Sequence, residues 1–111
     1  MYTVKEDSTL HEALEVIEYN HCRAAIVVNN NNKLIGSISQ GDIIRALIKK
    51  RGYESKISDL INISANYSKA NKKIDFASLY RKGITLMPIV DDEFYIIDII
   101  KVQDQIKFEN K

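Results

Sequence analysis

The chain nearly repeats itself, and that bounds its architecture more tightly than any single motif. Ile26-Val27-Val28-Asn29 written over Pro88-Ile89-Val90-Asp91 places an apolar strand running into an Asn or Asp turn in both halves, at an offset of 62 residues. The flanking patterns follow in the same order. In the first half Thr9 and Glu12 stand at capping-box spacing, and Leu10, Ala13, Leu14 and Ile17 recur at helical spacing up to Asn20. Two strands follow, Ala24 to Val28 and Leu34 to Ile38, joined by four consecutive asparagines, a residue type that tolerates the left-handed backbone of a turn. Ile43, Ile44, Leu47 and Ile48 then predict a second helix, ending in Lys49-Lys50-Arg51-Gly52. In the second half Ile74, Ala77, Leu79 and Tyr80 predict a helix ending before Gly83. Strands over Leu86 to Val90 and Phe94 to Ile97 and a helix over Val102 to Phe108 complete the copy. A unit of about 50 to 60 residues struggles to bury enough surface to stand alone. The expectation is therefore one α/β body of two pseudo-symmetric repeats, each a small sheet with flanking helices, packed sheet to sheet. Residues 1–52 form the first repeat, 53–63 a linker with a short helical turn at Ser58 to Ile61, and 64–111 the second.

Charge and cysteine content narrow the class of partner. Sixteen Lys and Arg against fifteen Asp and Glu leave a net charge of +1 over 111 residues, without the positive field that nucleic-acid or anionic-membrane binders carry. No apolar run approaches the ~20 residues of a bilayer span. Met1 to Thr9 has no apolar stretch of signal-peptide type, so a cytoplasmic location is expected. The single cysteine, Cys22, cannot make an internal disulfide. His11, His21 and Cys22 are too few and too scattered for a zinc site. Asp91-Asp92-Glu93 reads as a solvated hairpin tip, and Lys49, Lys50 and Arg51 read as a basic helix end facing its carbonyls.

The densest cluster of special residues is Gly36-Ser37-Ile38-Ser39-Gln40-Gly41-Asp42, where the second strand of the first half turns into its helix. One reading is a helix start, with Ser39 and Asp42 as a capping box. A second makes Ser39 a hydrolase nucleophile on a strand-to-helix elbow. Both histidines lie upstream of it, against the Ser, acid, His order of that fold, and the chain is far too short for its sheet. A phosphate-binding P-loop would need a Gly-x-x-x-x-Gly-Lys-Ser/Thr run, which is absent. A third reading is nucleotide binding: a helix N-terminus and the Ser39 hydroxyl receive a phosphate, Asp42 accepts from ribose hydroxyls, and Gly36 and Gly41 let a ligand approach the backbone.

The run Gly36 to Asp42, preceded by Ala24-Ala25-Ile26-Val27-Val28 and by the Asn turn, resembles the Gly-x-x-Thr/Ser-x-x-Asp signature of CBS domains, regulatory modules named after cystathionine β-synthase. The order of elements and the lead-in Met87-Pro88-Ile89-Val90-Asp91 are similar to that family too, so the resemblance covers nearly the whole chain as a tandem pair. It implies an adenosine nucleotide (AMP, ADP or ATP) bound between the copies with no cofactor required, Ser39 facing phosphate and Asp42 holding ribose. It also implies base contacts from the segments leading into each copy, here Thr3 and Val4, and Tyr67, which corresponds roughly to Val4. Over Gly36, Ser39 and Asp42 the second copy sets Tyr95, Asp98 and Lys101, which implies a degenerate second site. Leu34-Ile35-Gly36 through Gly41-Asp42-Ile43-Ile44-Arg45 further resembles the CBS pairs preceding sugar-phosphate nucleotidyltransferase domains, a motif that sugar-phosphate isomerases share. The chain would then be a non-catalytic regulatory part of a larger nucleotide-sugar enzyme, acting with an attached or associated catalytic domain. The family's homodimers form through helices, here at 43–48 and 102–108. A purely structural dimerisation module without ligand is the alternative.

Overall fold

The computed structural model describes residues 1–109, with side chains placed through Ile106. The first half runs β1 (Thr3–Lys5), α1 (Leu10–Asn20), β2 (Ala24–Val28), β3 (Leu34–Ser39) and α2 (Gln40–Ile48). The second runs β4 (Ser68–Lys69), α3 (Phe76–Arg81), β5 (Leu86–Val90), β6 (Ile96–Lys101) and α4 (Val102–Glu109). Each half builds one three-stranded sheet, β1-β2-β3 and β4-β5-β6, in which the lead-in strand is parallel and the hairpin antiparallel.

The offset of 62 is a structural symmetry and not only a sequence pattern. β2 and β3 pair with Val27 opposite Gly36, and β5 and β6 pair with Ile89 opposite Asp98; both ladders bulge at the next residue. The hairpin turns are copies in atomic detail. Asn29 Oδ1 accepts from the N–H groups of Asn31 and Lys33, and Asp91 Oδ1 from those of Glu93 and Tyr95. The two hairpins then exchange backbone bonds: Leu34 N–H donates to Phe94 O at 2.9 Å and Ile96 N–H to Asn32 O at 3.1 Å. Asn32 and Phe94 share a left-handed backbone, φ 65° and 68°, which suits asparagine and strains phenylalanine. That conformation puts Phe94 in the turn, so the strand expected from Phe94 begins at Ile96 instead and extends to Lys101.

Helix ends follow local chemistry. The Thr9 hydroxyl accepts from Glu12 N–H at 3.1 Å while the Glu12 carboxylate accepts from Thr9 N–H at 2.9 Å, opening α1 as the spacing predicted. At its far end His21 turns left-handed with φ 57°, where the second copy has Gly83 at φ 80°. The helix expected from Ile74 starts only after Asp75, whose carboxylate caps Ser78 N–H.

Between the sheets lies an apolar seam of Cys22, Ile26, Val28 and Leu86, flanked by Tyr2, Leu34, Ile96 and Ile99. The helix-side cores are unequal. In the first half Leu10, Ala13, Ile17, Val27, Ile38 and Ile43 pack in a continuous buried cluster, whereas the second buries Met87, Ile89 and Val102 among the described residues. The short α3 covers less sheet than α1 does.

Residues 53–62 belong physically to the first core. Ile57 is fully buried there, with Leu60 and Ile61 packed against the same cluster. Leu10 and His11 N–H donate to Ser55 O and Tyr53 O, Ile57 N–H to Ser8 O, and Asn62 exchanges both backbone bonds with Ser37, at 2.8 and 3.1 Å. This strap occupies the outer edge of β3. Gly36 is what admits it, because a Cβ there would overlap the Asn62 carbonyl and stand 2.9 Å from Ile61 Cγ2. Gly36→Ala is accordingly expected to lower stability by about 1–3 kcal/mol, as overpacking against backbone does, read from the urea midpoint. An unchanged midpoint would mean that the strap does not press on β3.

Candidate functional site

A cleft of about 570 Å³, counting its open mouth, lies where the strap passes from one repeat to the other. Ala24 and Ile26 of β2, with Ile84 and Leu86 of the second half, give it apolar walls. Ser37 and Ser39 of β3 and Asn62 and Asn66 of the crossing segment bring polar groups, and Ala65 and Gly83 complete it. The mixture of apolar wall with a few polar groups is what small-ligand sites use.

Local folding explains why these residues converge. Ser39 ends β3 and caps α2: its hydroxyl accepts from Asp42 N–H at 3.1 Å, and the Asp42 carboxylate accepts from Ser39 N–H at 3.1 Å. The helix N-terminus therefore begins at the cleft wall, with its Gln40 N–H given to Arg23 O at 2.8 Å and its Asp42 N–H to the Ser39 hydroxyl. Asn66 arrives by a different route. In the first half Ile26 N–H reaches across to Tyr2 O at 2.8 Å. The residue at the matching position of β5 is Pro88, which has no N–H to give. The parallel ladder of the second half consequently starts one position later, at Ser68, and Asn66 is left beside the cleft.

The residues expected from sequence divide into those at the cleft and those elsewhere. Ser39 lines it. Asp42 does not: its Oδ1 accepts from Arg45 Nη2 at 2.7 Å, and it faces a neighbouring hollow with Lys49, Arg51, Asp59 and Leu60. Gly41 sits under the Arg45 guanidinium, where a Cβ would be 3.2 Å from Nη1. Gly36 makes room for the strap. Val4 is buried in the first core among α1 side chains, and Thr3 is a ladder residue opposite Ile26. Tyr67 packs edge-on against Phe94, ring centroids 5.1 Å apart. Val4 lies opposite Val27 and Ser68 opposite Ile89, so Ser68 is the counterpart of Val4 and Tyr67 that of Thr3.

Register also corrects the second copy. Counterparts of Gly36, Ser39 and Asp42 are Asp98, Lys101 and Asp104, because the symmetric bulges leave the offset at 62 through both hairpins. Tyr95 is the counterpart of Lys33. The cation thus replaces the capping serine, and a carboxylate is retained in the first turn of α4. Asn62, Asn66 and Ile84 were not singled out from sequence, and Ser37 only as part of the Gly36 to Asp42 run; the missing donor of Pro88 is the one signal for Asn66.

Neither histidine approaches Ser39 in the cleft: His11 pairs with Glu15 at 3.6 Å and packs edge-on against Tyr53, while His21 ends α1. Among the described residues no cluster of three or more His, Cys, Asp or Glu could hold a metal, and no helix is long and apolar enough to cross a membrane. Burial raises the Cys22 thiol.

Residues 1–49 match the family model of the CBS domain. The first repeat is a CBS domain. The whole chain has the fold of a CBS pair: a crystal structure of the CBS domain pair of MJ0100, in complex with 5′-methylthioadenosine and S-adenosyl-L-methionine, superposes with a TM-score of 0.78 at 19% identity, covering 98% of this chain and 87% of that one. Protein MJ1225 of Methanocaldococcus jannaschii is 32% identical over 107 residues, 95% of this chain and 38% of its own length. Its crystal structure superposes with a TM-score of 0.79 at 25% identity, over 97% of this chain and 45% of that one. Inosine-5′-monophosphate dehydrogenase of the same organism is 32% identical over 107 residues, 95% of this chain and 21% of the enzyme. The chain thus spans well under half the length of these curated relatives.

The capping box yields a pH prediction. Burial alone would raise the Asp42 carboxyl, but bonds from Ser39 and the Arg45 guanidinium outweigh it and hold the group below the ordinary carboxylate value. A depressed native value stabilises the fold fully above about pH 4 and loses that contribution as pH falls through the native value. The stability difference between wild type and Asp42→Asn should be flat from about pH 5 to 8 and change only below about pH 4, by chemical denaturation at each pH. Ser39→Ala should lower stability by about 0.5–2 kcal/mol at neutral pH; no loss would remove the cap from the account.

Proposed function

We propose that the chain is a regulatory CBS module that binds an adenosine nucleotide in the cleft between its repeats and transmits occupancy to an attached or associated catalytic domain. The observation that carries the reading is the cleft itself, walled by both repeats, with the Ser39-capped N-terminus of α2 at one side. The apolar walls from Ala24, Ile26, Ile84 and Leu86 accept a purine ring, and the helix end with Ser39 accepts a phosphate. Asp42, which faces the neighbouring hollow, takes ribose hydroxyls only on turning toward the cleft. The adenosine-derived ligands of the MJ0100 pair support the ligand class.

The chain carries no catalysis of its own in this reading, and a cytoplasmic setting goes with it. The parent belongs among nucleotide-handling enzymes, in line with the resemblance to nucleotidyltransferase-linked pairs and with the dehydrogenase relative. Exposed Ile44 and Ile48 on α2 supply the apolar face of a homodimer. The face expected at 102–108 lies partly outside the described side chains.

Calorimetric titration with AMP, ADP and ATP tests the reading. At least one is expected to bind, and Ala65→Trp, which fills the cleft, should weaken it by about tenfold or more with little change in the thermal midpoint. Absence of heat with all three would leave the dimerisation module as the better account.

A further inference from the structure

The two sheets treat the same edge differently. On β3 the outer N–H of Ser37 donates to Asn62 O at 3.1 Å, and the strap covers the strand. At the matching position of β6 the Ile99 N–H donates to the carboxylate of its own neighbour, Asp98 Oδ1, at 2.8 Å. Asp98 stands where the first repeat has Gly36. A side chain at Gly36 would collide with the strap, so the residue that forbids a strap on β6 also supplies the bond the strap would have made. The first N–H of this edge, that of Ile96, is taken by Asn32 O at 3.1 Å; from Ile97 onward nothing else among the described residues pairs with it, and Ile97 is 54% exposed.

An open apolar edge strand is a template for pairing with another chain. This one is suited to pairing with itself. Ile96-Ile97-Asp98-Ile99-Ile100 reads the same in both directions about Asp98. Two copies laid antiparallel about that residue would set Ile97 opposite Ile99 and Asp98 opposite Asp98, and like charges directly opposite each other are unfavourable.

We propose that Asp98 closes the outer edge of β6 against strand pairing with a second copy of this chain, by occupying the Ile99 N–H and by repelling its own counterpart. The edge is left free of partners, and any assembly is directed to other surfaces, whatever the cleft binds.

Sedimentation velocity over a concentration series tests this with wild type, Asp98→Gly and Asp98→Asn. Asp98→Gly removes both the acceptor and the charge and is expected to self-associate at about tenfold lower concentration or less than wild type. Asp98→Asn keeps an acceptor and should fall between the two. Adding Ile97→Arg to Asp98→Gly should restore wild-type behaviour, which ties the association to this strand. Identical profiles for wild type and Asp98→Gly, or an Ile97→Arg double variant that still associates, would overturn the proposal. Should Asp98→Gly fail to fold, amide exchange in the wild type decides. The Ile99 N–H is expected to exchange at least about tenfold more slowly than an unstructured amide, and exchange at the unstructured rate would rule out the cap.

Discussion

Everything in this fold depends on the apolar seam between the two sheets. Each sheet has one face toward its own helices and one toward the other sheet, and neither half has enough helix to cover both. Ile26, Val28 and Leu86 are buried in a cluster that both repeats build, each contributing about 1.5–3 kcal/mol relative to exposure. The backbone exchange between the hairpin tips, Leu34 with Phe94 and Ile96 with Asn32, fixes the angle at which the sheets meet. The cleft is a by-product of that angle. Ile26 and Leu86 belong both to the seam and to the cleft wall, so a ligand there touches the surface that holds the halves together. Under the proposed function, a change of occupancy would act on the inter-repeat contact directly.

Around this symmetric frame the two repeats diverge at a few positions with large effects. Gly36 lets a strap seal β3, and Asp98 excludes one from β6. Ile26 pins its lead-in strand at Tyr2, and Pro88 cannot pin its own at Asn66. These exchanges leave one repeat with a thick core and a covered edge. The other has a thin core, a shortened lead-in strand and an edge satisfied by a side chain. A cleft made by both needs this inequality, because the segment that lines it reaches Asn66 only where the second ladder has lost its first rung.

Much of the frame was legible in the sequence because local signals agreed with global ones. Thr9 with Glu12 and Ser39 with Asp42 are capping boxes in the structure as in the spacing, and the two apolar runs of each half are its hairpins. What the sequence did not disclose was set by contacts distant in sequence. Gly36 and Gly41 suggested ligand approach, yet one faces Asn62 and the other Arg45, and no periodicity links 36 to 62. Val4 looked like a base contact and is core, because the parallel pairing with Val27 points it at α1. The second-copy alignment slipped by three residues because apolar strands look alike at several registers; only the paired bulges anchor it. Asp42 was rightly placed on the helix, but the sequence does not disclose that its carboxylate, bonded to Ser39 N–H and the Arg45 guanidinium, lines the neighbouring hollow and not the cleft.

The strap also orders events in time. A ribosome delivers Ile57, Leu60 and Asn62 after α2, so the first core cannot close when the last residue of its helix emerges. It must wait fourteen residues more, from Ile48 to Asn62, until the strap can be drawn over β3. The lead-in strand of the second sheet, Ser68–Lys69, follows Asn62 by only a few residues and so emerges already tethered beside its final position. Closing the first half therefore shortens the loop that the second must close, and so reduces the entropy lost in bringing the weaker half to its seam.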